Sequence, residues 1–283
     1  MNKIRLNNGI EMPQVGMGLF QLKGDETQTY IKQAIEAGYR LFDTASIYGN
    51  EADLGQAIKD SGIAREIFFI SSKVWIHSDG YEATMKEFET SLNRLGTDYI
   101  DLYLIHQPMG DIYGAWRALE ELYTQGKIKA IGVSNFSEDR LLDFILNTKI
   151  VPAVNQIELH PFFHQSSLRK LMNDYGIQVQ AWGPLCEGMN QHPVLENIAK
   201  KHQKSIAQIA LKWSVQMGNS VIPKSTNPVH LAENVALWDF ELDQEDLDQI
   251  KQLDIGYSEI IDHKNLAVVK GLNLCLGSKK TSV

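Results

Sequence analysis

The chain has 283 residues, 43% of them hydrophobic, enough to bury a large core within one domain of about 250 residues. A formal charge of −8 argues against non-specific nucleic-acid binding. No run approaches ~18 apolar residues, and the start, Met1-Asn-Lys-Ile, lacks a signal peptide's apolar core, so a cytoplasmic protein with no membrane association is expected.

Cys186 and Cys275 lie far apart with no CxxC spacing, which suits free thiols in a reducing compartment. Ile4-Arg-Leu6, Asn7-Asn-Gly9 and Ile10-Glu-Met12 read as a β-hairpin, Asn-Gly supplying the positive φ of its turn. From Val15 onward strand and helix signals alternate. Val15–Gly18 leads to a helix over Glu26–Ala37, which stops at Gly38. Tyr39–Asp43 leads to Glu51–Ser61, where Asn50 is placed as an N-cap. Ile67–Ser71 precedes Tyr81–Leu95, and Ile100–Ile105 precedes Tyr113–Thr124. Ala130–Val133 leads to Glu138–Leu146, Val154–Ile157 to Ser167–Tyr175, and Val179–Trp182 to a helical region around Val194–Met217. Val221–Ile222 and Val229–Leu237 complete the series.

Short strands that are apolar on both faces belong in a parallel sheet, and eight strand–helix units imply its closure into a (β/α)8 barrel with the hairpin at its base. An open doubly wound sheet competes, but no G-x-G-x-x-G follows the first strand. Nothing divides the chain, so one domain is expected over 1–283, its core spanning about 15–253. The tail 254–283 breaks the pattern. Its apolar patch Leu266–Leu276 should be costly to expose, so the tail is expected to pack back over the barrel, with only Ser278–Val283 frayed.

Active sites of such barrels sit at the C-terminal ends of the strands. Asp43, Lys73 and His106 fall at the ends of the second, third and fourth strands, and Tyr48 lies on the loop after the second. Taken singly, each has an ordinary structural reading as a loop cap, a surface lysine, a packed phenol or a turn residue. Together they form a constellation for general acid catalysis. A phenol is a weak acid at neutral pH, and an adjacent ammonium stabilises its phenolate by ~4 kcal/mol at ~4 Å, before desolvation is subtracted. Burial drives a lysine toward neutrality, which a carboxylate such as Asp43 opposes.

The segment Gly38–Glu51, with Leu95-Gly-Thr-Asp-Tyr-Ile-Asp-Leu-Tyr-Leu-Ile-His106-Gln-Pro108 and Ile222-Pro-Lys-Ser225, resembles the three signatures of the aldo-keto reductase family, over about Val15 to Leu253. The loop Gln107–Tyr113 is short compared with animal members, which resembles the short bacterial type of the family, such as 2,5-diketo-D-gluconate reductase. The resemblance implies NAD(P)H-dependent reduction of aldehydes and ketones, with Tyr48 as the acid, Lys73 tuning it, Asp43 anchoring Lys73 and His106 orienting the carbonyl. Ser134, Asn135 and Gln156 are then expected at the nicotinamide carboxamide, Trp182 stacked on its ring, and Gly183-Pro-Leu185 along the pyrophosphate, with the Glu187 carboxylate beside it. Lys224, Ser225 and Thr226 would meet the adenosine 2′-phosphate, while Glu233 and Asn234 would meet the adenine. His230 stands where many relatives carry arginine, so NADPH should be preferred with NADH as a second cofactor. Phe20, Trp75 and Trp182 should wall the substrate pocket, Ile76 and His77 forming its rim. Keto sugar acids, methylglyoxal-like aldehydes and aromatic aldehydes all remain open as substrates; a monomer without metal is expected. Two other functions compete: a Schiff-base aldolase on Lys73, which Asp43 disfavours by keeping the amine charged, and a nicotinamide-sensing subunit without turnover.

Overall fold

The structure is a computed structural model and describes residues 2–24, 26–186 and 191–274. Glu187 and Cys275 lie outside the described residues.

Strands β1 (Lys3–Arg5) and β2 (Glu11–Pro13) pair antiparallel, and the turn between them uses Gly9 at φ +87°. Leu6 and Met12 from this hairpin pack with Leu41, Phe69, Leu102 and Leu104 inside the barrel, while Asn7 and Asn8 donate to the carbonyls of Pro152 and Lys129. The hairpin therefore plugs the barrel base, as expected.

The barrel strands are β3 (Met17–Gly18), β4 (Leu41–Asp43), β5 (Phe69–Val74), β6 (Ile100–Ile105), β7 (Ile128–Ser134), β8 (Val154–Glu158), β9 (Gln178–Trp182) and β10 (Ser220–Val221). They form one parallel sheet in sequential order. A parallel bridge between Val15 and Val221 brings its two edges together, with Gly16 N–H donating to Val221 O at 2.8 Å and Gly18 N–H to Pro223 O at 3.2 Å. At that seam a Cβ on Gly18 would stand 2.7 Å from the Ile222 carbonyl oxygen, so only glycine permits the approach.

Around the strands run α1 (Thr27–Glu36), α2 (Glu51–Asp60), α3 (Tyr81–Leu95), α4 (Ile112–Thr124), α5 (Glu138–Leu146), α6 (Ser166–Asp174), α7 (Pro193–His202), α8 (Ile206–Gln216), α9 (Pro228–Val235) and α10 (Gln244–Lys251). Their apolar faces meet the outward side chains of the strands in a continuous core that includes Phe42, Phe88, Trp116, Phe136 and Phe144.

Several expectations are corrected. The helical region 194–217 is two helices, split where Gln203 takes φ +54° and Ser205 opens a capping box with Gln208. Strand β5 starts at Phe69, not Ile67, because Arg65–Ile67 form a turn whose Arg65 binds Phe68 O, Tyr99 O and Asp101. Helix α10 buries one apolar side chain, Ile250, too little for periodicity to reveal; its capping box, Asp243 with Asp246, is the readable signal. Asn50 occupies the N-cap position of α2, but its side chain makes no capping bond. Its amide donates to Leu19 O and Leu22 O at 2.8 and 2.9 Å, and its oxygen accepts from Thr44 Oγ1 at 2.6 Å.

The tail does return over the barrel mouth, but through residues before its apolar patch. Ile255 N–H donates to Phe162 O, and Ser258 Oγ donates to Glu158 Oε2 at 2.6 Å. The described part of the patch forms α11 (Leu266–Leu274), which has no buried residue and leaves Leu266 84% exposed. Asn273 O ties α11 to His77 Nε2 at 3.0 Å.

Candidate active site

Asp43 ends β4, Lys73 lies one residue before the end of β5, and His106 directly follows β6. Parallel pairing sets Asp43 beside Ser71 and Lys73 beside Leu104, so three adjacent strands deliver an acid, an amine and an imidazole to one face. Tyr48 arrives on the turn Ser46–Tyr48, closed by Gly49 at φ +73°.

Lys73 is fully buried and Asp43 is 3% exposed. Lys73 Nζ donates to Asp43 Oδ2 at 2.6 Å and to Thr44 O at 2.8 Å. The other carboxylate oxygen, Oδ1, accepts from Ser71 Oγ and from Gln156 Nε2, each at 2.8 Å. Gln156 Nε2 also donates to Gln180 Oε1 at 2.7 Å, and Gln180 Nε2 reaches Ser220 Oγ at 3.4 Å, so a polar ladder descends through the barrel from the ion pair. Burial lowers the Lys73 ammonium's affinity for its proton; Asp43, and behind it Glu51, oppose the shift.

Glu51 is a partner that periodicity does not disclose. It is 1% exposed on the first turn of α2, accepting from Ser72 Oγ at 2.6 Å and Arg94 Nη1 at 3.2 Å.

Tyr48 Oη lies 3.4 Å from His106 Nε2. Burial first, then the Asp43 carboxylate, push Tyr48 well above the ordinary phenol range. Desolvation outweighs the Lys73 ammonium here, because Lys73 Nζ is committed to Asp43 and Thr44 O and sits 5.2 Å from the centre of the Tyr48 ring. An ammonium already paired with a carboxylate offers little net field, so desolvation dominates. His106 is held well below the usual imidazole range by burial, then by the Lys73 charge, then by His263. The pair at the mouth is thus a neutral phenol facing a neutral imidazole.

Aromatic rings surround it. The Trp75 ring meets His106 edge-on at 4.9 Å, and Phe20, 53% exposed, lies 5.1 Å from Tyr48. Trp182 is fixed by its Nε1–H donating to Asn135 Oδ1 at 2.9 Å. Asn135, at φ +65°, donates from Nδ2 to His106 O and Ser134 Oγ, and Ser134 Oγ donates to Gln156 O at 2.9 Å. Ser134, Asn135, Gln156 and Trp182 therefore lie together beside His106. Ile76, expected at the rim, is 7% exposed and buried.

Gly183 takes φ +59°, and half-buried Leu185 follows it along the turn after β9. Farther out, Lys224, Thr226 and His230 are exposed, with Lys224 Nζ at 3.3 Å from Gln21 Oε1. Ser225 is 9% exposed and caps the turn by accepting from Asn227 N. Glu233 is half-buried, whereas Asn234 is 1% exposed on the inner side of α9, beside Tyr39. A cleft of about 810 Å³ opens next to Trp182 and Asn135, bounded on its far side by the tail residues Tyr257, Ser258, Ile261 and His263.

Among the described residues no group of histidine, cysteine or carboxylate side chains is arranged to hold a metal ion, and no helix is long and apolar enough to cross a membrane.

A family model described as "Aldo/keto reductase family" matches residues 14–255. Glyoxal reductase of Bacillus subtilis (strain 168) is 50% identical over 253 residues, 88% of this chain and 92% of that protein. An aldo-keto reductase from a Medee basin deep-sea metagenome library superimposes with a TM-score of 0.90 at 42% identity, covering 93% of this chain and 99% of that one. A Bombyx mori aldo-keto reductase in complex with NADP has a TM-score of 0.87 at 32% identity, covering 93% and 95%.

Proposed function

Because the chain belongs to the aldo/keto reductase family, we propose that it reduces small aldehydes and ketones to alcohols with a reduced nicotinamide, Tyr48 giving the proton. What supports this reading is the Tyr48 Oη–His106 Nε2 approach of 3.4 Å at the C-terminal barrel face, behind which the Lys73–Asp43 pair is sealed.

The side chains suit a dinucleotide running outward from that pair. Trp182 presents an indole whose orientation its bond to Asn135 fixes. Ser134, Asn135 and Gln156 supply amide and hydroxyl groups beside His106 for a carboxamide, and the positive φ at Gly183 admits a close backbone approach for a pyrophosphate. Exposed Lys224, Thr226 and His230 offer a cation and donors for a 2′-phosphate, and Glu233 offers an acceptor for an adenine amine. When bound, the reduced nicotinamide supplies the hydride.

The chain's own residues do the rest. Neutral His106 donates one hydrogen bond to the carbonyl oxygen and polarises it. Tyr48, its pKa raised by burial, keeps its proton until negative charge develops on that oxygen, and then transfers it. Lys73 and Asp43 fix the floor under the phenol, and Phe20, Trp75 and Trp182 exclude water from the reacting atoms. A Schiff base on Lys73 is disfavoured, since Asp43 and Thr44 O accept hydrogen bonds from its ammonium and favour its charged form.

Tyr48→Phe tests the assignment. Turnover on a carbonyl panel should fall at least ~100-fold while nicotinamide affinity stays unchanged. Near-normal turnover in that variant would sink the acid role.

A further inference from the structure

We infer that the outer groove between α6 and the end of α8 is a binding site for a phosphate-class oxyanion, with Arg169 as its central cation. The groove is separate from the strand ends that carry Tyr48 and His106 and does not depend on the reading of their chemistry.

The sequence sets four polar side chains along one strip of α6. Ser166, Arg169, Lys170 and Asn173 stand at i, i+3, i+4 and i+7, while Leu168 and Met172 take the buried face. Opposite them lie the start of β9 and the residues 217–219 that join α8 to β10. Between these walls is a cavity of about 470 Å³, within the roughly 300–1,000 Å³ of ligand pockets. The described residues that line it include two cations and neither aspartate nor glutamate, in a chain whose formal charge is −8.

Arg169 is half-buried, and its hydrogens are largely unspent. Its Nε is buried with no partner, Nη1 reaches His164 O only at 3.5 Å, and Nη2 meets the sulfur of Met217 at 3.3 Å. Burial lowers its proton affinity from the ordinary guanidinium value, and no acid beside it opposes the shift. A guanidinium stays charged regardless, so a partly buried one without an anion is left uncompensated. Capping of α8 does not account for it. The N–H groups of Met217, Asn219 and Gly218 already take the carbonyls of Trp213, Ser214 and Val215, and Arg169 meets a sulfur there.

The other groups define the ligand. Lys170 is held at 2.7 Å only by Asp174, in an exposed i,i+4 pair of the weak kind, so its ammonium is free to turn to an anion in the groove. The Ser166 hydroxyl and the Asn173 amide add neutral donors along the strip. A carboxylate has two oxygens to offer this set, whereas a phosphoryl group has three or four and a charge near −2. The planar fork of arginine also matches phosphate with two parallel bonds.

The test follows thermal unfolding and titration calorimetry with inorganic phosphate, against sodium chloride at matched ionic strength. The proteins are the wild type, Arg169→Gln, Lys170→Gln and Lys224→Ala. At about twentyfold over its dissociation constant, phosphate should raise the wild-type Tm by about 3 °C. Arg169→Gln should lose about tenfold or more in phosphate affinity and most of that rise. Lys170→Gln, at an exposed position that does not endanger the fold, should lose about threefold and decides the matter if Arg169→Gln is unstable. Lys224→Ala should bind phosphate as the wild type does. No saturable binding, or an equal Tm rise in wild type and Arg169→Gln, would reduce the effect to an adventitious ion or to general exclusion of phosphate from the surface, and overturn the site. A loss in Lys224→Ala alone would place the phosphate at the candidate cofactor site and overturn it equally. Glycerol 3-phosphate separates the sources: tighter binding than inorganic phosphate assigns the groove to the phosphoryl group of an organic ligand, and equal or weaker binding assigns it to the free ion.

Discussion

Removing the ammonium from Lys73 separates its part in the fold from its part in the chemistry. In Lys73→Met the Asp43 carboxylate, 3% exposed, keeps Ser71 Oγ and Gln156 Nε2 as donors but loses its counter-ion at 2.6 Å. At that separation and an effective dielectric of ~20, Coulomb's law gives ~6 kcal/mol, part of which the relieved desolvation of Lys73 and solvent relaxation offset. Breaking a buried pair by deleting one partner costs about 3–5 kcal/mol. For 283 residues the unfolding entropy near the midpoint is roughly 0.6 kcal/mol per kelvin, so a loss of ~4 kcal/mol lowers Tm by about 7 °C. Because that cost comes from an orphaned charge, the double variant Lys73→Met/Asp43→Asn should recover most of the stability and still lack activity. Calorimetry of both variants at pH 7, with nicotinamide oxidation followed by absorbance, makes the comparison. A single variant as stable as wild type, or a double variant as unstable as the single, would refute the argument that the pair is held by mutual compensation.

Alkaline pH supplies a second prediction: burial raises Tyr39, Tyr48 and Tyr103 above the ordinary phenol range. Groups with raised folded pKa values stabilise fully below the unfolded value of ~10 and lose that contribution as pH climbs, at about 1.4 kcal/mol per pH unit each. Lys73, lowered by burial, adds stability with rising pH, an effect that fades above about pH 10.5 as the unfolded lysine also loses its proton. Urea unfolding should therefore show a fall of roughly 4 kcal/mol between pH 10.5 and 11.5, and equal stability at the two values would contradict it. The cofactor site gives a third: exposed His230 replaced by arginine should tighten NADPH by about 1–2 kcal/mol through a charge-assisted bond and leave NADH unmoved. Titration by tryptophan fluorescence reads both, and an equal shift for the two cofactors would mean that residue 230 does not face the 2′ position.

The barrel was legible because its cause is written locally. Buried parallel strands are short apolar runs, and eight of them alternate with helices at readable periods. The constellation Asp43, Tyr48, Lys73 and His106 could be read because three of its members sit at strand ends, where topology alone brings them together. Contacts made across the fold escaped. Nothing around Glu51 says that its carboxylate turns inward to Ser72, and nothing around Asn50 says that its amide will bind Leu19 and Leu22 in preference to capping α2. The net pKa direction of Tyr48 was also hidden, since it depends on where the Lys73 protons go. The apolar stretch in the tail misled for a related reason. Hydrophobicity argued for burial of Leu266–Leu276, whereas its described part is exposed and the tail is held by the polar side chain of Ser258 and by backbone bonds before it.

The bonds of Asn50 bear on how this mouth can change over generations. By holding Leu19 O, Leu22 O and the Thr44 hydroxyl together, one amide welds the loop that carries Phe20 to the loop that carries Tyr48. The side chain of Phe20 itself projects from that frame and is 53% exposed. Substitutions at residue 20 can then reshape the aromatic wall while the backbone beneath, and with it the phenol, keeps its place. The tail contributes its own side chains from a separate anchor on Glu158. Both variable surfaces are mounted on parts that do not carry the acid, so the range of carbonyls accepted can drift by single substitutions without misaligning the proton donor.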